Sequence, residues 1–257
     1  MPEGHVLHRL ACELRELVGS PVGVSSPQGR FPEAGLLDGR VLQAAEAHGK
    51  HLFLRFDPSV VHVRLGMQGK FLRLTPPPPP RPQVRLRLVG AEVAWDLIAP
   101  SRCELLSAGE AAGLVARSGP DPLEADADPE LVWKHLQGHA GPVGAALIDQ
   151  SVIAGVGNVL RVEVLFLTGV RPERPVGNLS RPEFDHLWST LRSMMQRAVE
   201  EGRILSLETP ASVERTTLPE ADGRYVYKQS HCRRCGTPVV FSSVGGRSAY
   251  ACPRCQR

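Results

Sequence analysis

Nothing in this 257-residue chain approaches the ~20 consecutive apolar residues that a membrane-spanning helix requires. The opening residues, MPEGHVLHRL, lack the apolar core of a secretory signal, and no cleavage site follows them. Internal repeats are also missing. Net charge is only +3, so global charge says little about partners. These absences lead us to expect a soluble, intracellular, cytoplasmic protein, with no membrane partner. The apolar fraction of 42% and charged fraction of 22% are ordinary for a globular chain. Its length supports one large domain or two modest ones.

Charge is unevenly placed. From Arg224 to Arg257 there are seven Lys or Arg and no Asp or Glu, which leaves 23 basic against 27 acidic residues elsewhere. Either a solvated basic tail or a surface for an anionic partner gives such asymmetry. Cysteine spacing favours the second. Cys232, Cys235, Cys252 and Cys255 form C-x2-C-x16-C-x2-C. Each pair brings two thiolates to one ion, giving a closed tetrahedral site best suited to one structural Zn2+. A disulfide framework is the competing reading, but nothing else points to secretion. With four Cys ligands no coordination position is open, so metal-activated water is not the chemistry. Between the pairs, Val239–Val244, Gly245-Gly246 and Arg247–Ala251 read as a hairpin that carries Arg247 at its tip. A guanidinium there is a bidentate phosphate ligand. Cys12 and Cys103 are expected to be buried thiols.

Upstream, residues 3–18 read as an amphipathic helix with Leu7, Leu10, Leu14 and Leu17 on one face and Gly19 as its stop. Strands are expected at 39–44, 51–56, 60–65, 70–74, 84–89 and 92–97. Their alternation suits an antiparallel sandwich. Pro76–Pro80 and Pro82 form a stiff connection between strands. Residues 118–128 read as a linker. Helices then follow at 129–137 and 143–153. After Ala154-Gly155-Val156-Gly157, Asn158 caps a helix that runs to Thr168. A long helix starts at Ser180, with Glu183 completing a capping box. It buries Phe184, Leu187, Trp188, Leu191 and Met195, and Gly202 ends it.

The start Met1-Pro2-Glu3 gains meaning from this setting. Pro2 is small enough for Met1 to be removed, which exposes an α-amine with a pKa of about 7.7–8.0, against about 10.4 for Lys. Its neutral fraction at pH 7 is then roughly 300 times greater. Amine nucleophiles attack sugar carbons and form Schiff bases, and Glu3 is a neighbouring carboxylate for the proton. Many chains begin this way, so the start informs only together with the features downstream.

Four segments together resemble the formamidopyrimidine-DNA glycosylase and endonuclease VIII family: Pro2-Glu3-Gly4; Gly49-Lys50-His51-Leu52; Leu147–Gln150 with Ala154–Glu163, which is similar to a helix–two-turns–helix element; and the cysteine hairpin with Arg247. Their order spans nearly the whole chain. The resemblance implies that Pro2 attacks C1′ of a damaged nucleotide and that Glu3 serves as acid and base. Lys50 and Arg247 join the catalytic machinery through phosphate, and Glu163 is a second supporting carboxylate. Lys50, Met67, Asn158, Arg161 and Arg247 contact DNA, with Met67 as the wedge filling the gap left by a flipped base. Blander readings remain: a surface Lys50, a helix cap for Asn158, a helix-face charge for Glu163, a core Met67.

Departures narrow the resemblance. Formamidopyrimidine glycosylases carry Arg-Arg-Phe-Gly where this chain reads Ala99-Pro100-Ser101-Arg102-Cys103-Glu104. They have Leu-Pro where it has Gly4-His5, and a Glu where it has Val6. Arg64 stands where the family often has His. These differences favour the endonuclease VIII branch, of an actinobacterial type, and oxidised pyrimidines in duplex, single-stranded or bubble DNA. The expected architecture is α+β and multi-domain: an N-terminal antiparallel β-sandwich with flanking helix (1–120), a helix–two-turns–helix domain (125–222) and a zinc-stapled hairpin (223–257). The expected protein is a bacterial, nucleoid-associated monomer acting on damaged DNA as a glycosylase and abasic-site lyase. The alternative is a non-catalytic nucleic-acid-binding protein.

Overall fold

The computed structural model describes residues 2–208 and 217–257. The chain divides into two compact units, one of residues 1–3 with 7–117 and the other of residues 4–6 with 118–257. Among the described residues no helix is long and apolar enough to cross a membrane.

The first unit opens with α1 (Gly4–Leu14), which continues as a 3-10 turn over Arg15–Leu17. Leu7, Leu10, Leu14 and Leu17 are all buried, as their spacing requires. Two four-stranded antiparallel sheets follow. In chain order the strands are β1 (Gly23–Ser25), β2 (Ala44–His48), β3 (His51–Phe56), β4 (Ser59–Arg64), β5 (Lys70–Leu74), β6 (Val84–Val89), β7 (Ala94–Ile98) and β8 (Arg102–Ser107). One sheet has the order β1-β6-β7-β5 and the other β2-β3-β4-β8. Period-two alternation sends Leu52, Leu54, Phe56, Val61 and Val63 to one fully buried face. In the other sheet Leu86, Leu88, Trp95 and Leu97 do the same.

The opposite face of that sheet buries a charge pair. Arg87 and Asp96 are cross-strand partners, and Arg87 Nη1 donates to Asp96 Oδ1 at 3.2 Å. Arg87 also donates to the Pro78 carbonyl. The proline tract is therefore pinned onto the sheet by the side chain it helps cover.

Several expectations are corrected. The strand expected at 39–44 begins only at Ala44, because Gly39 adopts φ +75° in a turn. Strand β8 and the helix α2 (Ala108–Ala116) were not anticipated, although Ser107 and Glu110 form a capping box at the start of α2. Cys12 is exposed rather than buried. Cys103 is half-buried, and burial pushes its thiol up to about 12, so it is unreactive.

The second unit contains α3 (Pro129–Gln137), α4 (Val143–Ala146), α5 (Asn158–Leu167), α6 (Arg181–Glu201) and the hairpin β9 (Val240–Val244) and β10 (Arg247–Ala251). One core joins Val132, Leu160, Phe166, Phe184, Trp188, Leu191 and Met195 with Cys232 and Cys252, so hairpin and helices share it. The segment read as a linker is packed instead. Gly119 N donates to Gln150 O, Ala154 N donates to Pro120 O, and Asp121 is fully buried. The helix expected over 143–153 stops at Ala146. Beyond it Asp149 accepts from Ser151 N in a local turn that competes with helix.

Helix α6 begins as its sequence specifies. Glu183 accepts from Ser180 N at 2.8 Å and from Arg174 Nη1 at 2.7 Å. The Arg174 hydrogen bond, then those from Ser180, hold the Glu183 carboxyl down to about 2. A depressed carboxylate stabilises the fold above its unfolded pKa of about 4.3 and loses that contribution as pH falls towards 2. Glu183→Gln should therefore be less stable at pH 7 by about 1 kcal/mol, the typical worth of a solvent-screened cap. Urea midpoints of the two proteins should converge near pH 2.

Candidate nucleic-acid interface and metal centre

Three of the expected contact residues sit on turns. Lys50 is the second residue of the two-residue turn joining β2 to β3, where His48 pairs with His51. Gly49 precedes it with φ +57°, which suits the first central position of a tight hairpin turn. Met67 lies in the β4–β5 connection, closed by Gly69 N donating to Leu65 O, and is 71% exposed. That excludes a core role for Met67. Arg247 is exposed at the first position of β10. Gly245 and Gly246 before it both adopt positive φ, +61° and +69°, as a two-residue hairpin of this hand demands.

The turn before α5 is built by Gln150. Its amide donates to Ile148 O and Val156 O, and its Oε1 accepts from Gly155 N. Gly155 O in turn accepts from Gly4 N at 2.8 Å. The residue next to the Pro2-Glu3 start is thus tied to this turn. Pro2 is half-buried and Glu3 is buried. In the chain as written the Pro2 nitrogen is acylated by Met1. It becomes a secondary amine only when Met1 is removed.

Asn158 is the first residue of α5, and Gly157 is the cap residue. The expected Asn158 cap is therefore corrected. Its Nδ2 donates to Ser248 O at 3.0 Å and its Oδ1 accepts from Arg161. Arg161 is also corrected, since it is fully buried and cannot reach phosphate. Its guanidinium donates to Gly144 O at 3.1 Å, Val244 O at 2.8 Å, Ser248 O at 2.8 Å and Asn158 Oδ1. One side chain thus joins α4, α5 and both hairpin strands.

Glu163 is fully buried as well. Its oxygens accept from the backbone N–H groups of Tyr225 (2.8 Å), Val226 (3.0 Å) and Tyr227 (2.7 Å), and from Ser206 Oγ. Four donors fill the acceptor sites of one carboxylate. Glu163 is therefore neither a helix-face charge nor a free acid or base. It is a positioning group that fixes the bend and turn at Tyr225–Tyr227 leading into the cysteines.

The cysteines fit a metal ion. Ligand atoms of Cys232, Cys235, Cys252 and Cys255 all lie within 4.8 Å of one another. The Sγ separations are 4.0 Å for Cys232–Cys255, and 3.5 Å for Cys235–Cys252 and Cys235–Cys255. A disulfide needs about 2.05 Å. A tetrahedron of thiolates at about 2.3 Å from a central ion needs edges of roughly 3.8 Å. Arg234, between the first two cysteines, stacks over Phe166 of α5 with its guanidinium carbon 4.6 Å from the ring centroid. Gln256 closes the far end by accepting from Cys252 N and donating to Val170 O.

A cluster not expected from the sequence lies on one face of the β2-β3-β4-β8 sheet. His51 Nδ1 and His62 Nε2 are 2.8 Å apart, and His62 Nδ1 is 2.8 Å from Glu104 Oε1. Burial, helped by Arg64, His62 and His48, pushes His51 down to about 3. Burial also lowers His62, against the opposing pull of Glu104. The alternation of β3, β4 and β8 could have revealed the shared face, but not which rings meet.

Comparison with known proteins gives consistent results. Residues 1–96 match the formamidopyrimidine-DNA glycosylase N-terminal domain, and residues 118–209 the H2TH domain of the same enzyme. The chain is similar to the protein named Endonuclease 8 1 from Mycobacterium tuberculosis, at 45% identity over 267 residues covering the whole of both chains. It is 31% identical over 264 residues to the formamidopyrimidine-DNA glycosylase of Geobacter metallireducens, covering 94% of each. In structure it is similar to Lactococcus lactis Fpg in complex with DNA containing N7-benzyl-Fapy-dG, with TM-score 0.80, 25% identity and full coverage of both chains. A complex of that protein with DNA containing an abasic site matches with TM-score 0.79 at 24% identity over 99% of each chain.

Arg161→Met should lower stability by about 3–5 kcal/mol, because it strands buried carbonyls and the Asn158 amide. Denaturant titration measures this. The salt dependence of DNA binding by the folded fraction should not change, because Arg161 touches no phosphate.

Proposed function

The chain belongs to the formamidopyrimidine-DNA glycosylase and endonuclease VIII family of DNA glycosylases, and from that premise we propose that it is a bifunctional repair enzyme that removes an oxidised base and then cleaves the strand. The observation that carries this reading is a Pro2-Glu3 start, followed by Gly4 bonded to the Gly155 turn, together with contact residues on three short turns, Met67 and Arg247 exposed and Lys50 half-buried. Pure binding would require no amine.

A base inside a duplex is out of reach, so the nucleotide must be extruded. Lys50 and Arg247 supply phosphate contacts that hold the backbone, and Met67 fills the gap in the stack. Once Met1 is removed, the Pro2 nitrogen lone pair forms a bond to C1′ as the bond to the base breaks. Glu3 manages the proton released. The amine's proton passes to Glu3 and on to O4′ as the C1′–O4′ bond breaks, so the sugar ring opens to an iminium. Loss of a C2′ proton then expels the 3′ phosphate as the C3′–O bond breaks. Glycosylase and lyase activities belong to one covalent path.

The four thiolates hold one Zn2+, which supplies a structural clip at the open end of the hairpin. The tip that carries Arg247 inherits its rigidity from that clip and from Arg161. Oxidised pyrimidines are the substrate class, because Ala99–Glu104 departs from the stretch with which formamidopyrimidine glycosylases fill the void opposite the lesion. The protein acts as a cytoplasmic monomer.

Borohydride reduction with DNA carrying dihydrouracil, thymine glycol or an abasic site should yield a covalent adduct. Pro2→Gly should weaken or abolish it, and a tag that keeps residue 2 acylated should abolish it. An undiminished adduct from the blocked protein refutes the assignment. Arg247→Ala should reduce the slope of log affinity against log salt by about 1 while leaving zinc content unchanged. Loss of zinc in that variant would make Arg247 a folding residue instead.

A further inference from the structure

We propose that Glu104, His62 and His51 form a hydrogen-bonded relay that presents His51 Nε2 as a fixed acceptor for the exocyclic amino group of a base beside the lesion, making His51 a specificity-determining residue. The inference rests on the DNA-binding reading above and adds to it what the Lys50 turn reads besides phosphate.

Geometry sets the proton positions. A carboxylate at Glu104 can only accept. At 2.8 Å from it, His62 Nδ1 must carry a hydrogen. A neutral His62 then has a lone pair on Nε2, which at 2.8 Å accepts from His51 Nδ1–H. A neutral His51 is left with its lone pair on Nε2. Burial disfavours the charged form of both rings. His62 is 1% exposed, and His51 is half-buried, stacked near His62 (5.0 Å between centroids) and Phe53 (6.0 Å). The charged and titratable groups around the pair act in the same direction with one exception. His48 is the cross-strand partner of His51. Arg64 lies on β4 with Arg102 opposite it on β8, and all three disfavour a further positive charge. Glu104 alone favours one, at His62.

A phosphate site would be built the other way round. Phosphate and sugar oxygens of DNA only accept, so an imidazole meant for them must donate. This imidazole, one residue after Lys50, is fixed as an acceptor. The donors that paired DNA offers at its groove edges are the amino groups of adenine, cytosine and guanine. Thymine lacks one. Lys50 and His51 thus present opposite polarities at adjacent positions, one for backbone and one for base.

Two measurements test the proposal. In 15N-labelled protein at pH 7, long-range 1H–15N correlations should show His51 and His62 neutral, each protonated on Nδ1. A proton on His51 Nε2 overturns the proposal. Affinity is then measured for duplexes carrying a tetrahydrofuran abasic analogue. The opposite base and both neighbouring pairs are replaced one at a time by amino-deleted versions (adenine→purine, guanine→inosine, cytosine→pyrimidin-2-one). The wild type should lose about tenfold at one position, as expected for one hydrogen bond with an unpaired partner. His51→Phe should bind the intact duplex about tenfold more weakly and no longer distinguish the two. Its salt slope should be unchanged, which a mere displacement of the Lys50 turn would not give. His51→Gln, which keeps an acceptor, should restore discrimination in part. Glu104→Ala should weaken it without removing the ring. Discrimination that persists in His51→Phe, or a wild type indifferent to every amino deletion, overturns the inference while leaving the glycosylase reading intact. Failure to bind abasic DNA at all overturns both.

Discussion

The second unit depends on one buried guanidinium. Arg161 places a permanent charge where no water solvates it, a cost met only by directing its donors to fixed acceptors. Those acceptors come from α4, from the first turn of α5 and from both strands of the hairpin. The geometry of a planar fork leaves little freedom. Hairpin strands, helix start and α4 are locked in one arrangement, and Arg247 at the hairpin tip is held on that frame. The four clustered cysteines lie at the opposite end of the same hairpin.

Charge in this protein is sorted by role. Arg161, Glu163, Arg87 and Asp96 are buried and bonded within the fold. Lys50 and Arg247 stand on short turns closed by strand pairing, and Met67 on a turn closed by the Gly69–Leu65 hydrogen bond. A short turn on a rigid hairpin is a precise mount, because the strands fix its position and its tip stays accessible. The His51–His62–Glu104 chain extends this arrangement onto the face of the first unit's sheet, where desolvation disfavours a charge on imidazoles beside arginines. The proposed chemistry draws on the same division, with contacting groups on accessible turns, the Pro2-Glu3 start partly to fully buried, and unreactive charges bonded within the fold.

How far the sequence could be read varied with the range of the interaction. Leucine spacing in α1, the Ser180–Glu183 box, the Gly-Gly turn and the paired cysteines each follow from residues a few positions apart. The structure agrees with all of them. The Ser107–Glu110 box is equally local, but strand β8 before it alternates weakly and so gives no sign of the sheet edge that α2 follows. At 39–44 the apolar pattern misled, since a left-handed Gly39 turns the chain before the strand can pair.

By itself, the sequence determined the elements whose signals are local: helices with caps, strands with alternation, a hairpin tip and a four-thiolate site. Tertiary structure alone decided what Asn158, Arg161 and Glu163 do, and that His51, His62 and Glu104 form one chain. Their partners lie up to some ninety positions away, and no periodicity records such a pairing. Motif spacing places a charge on a helix. Only packing decides whether that charge faces solvent or holds the interior together.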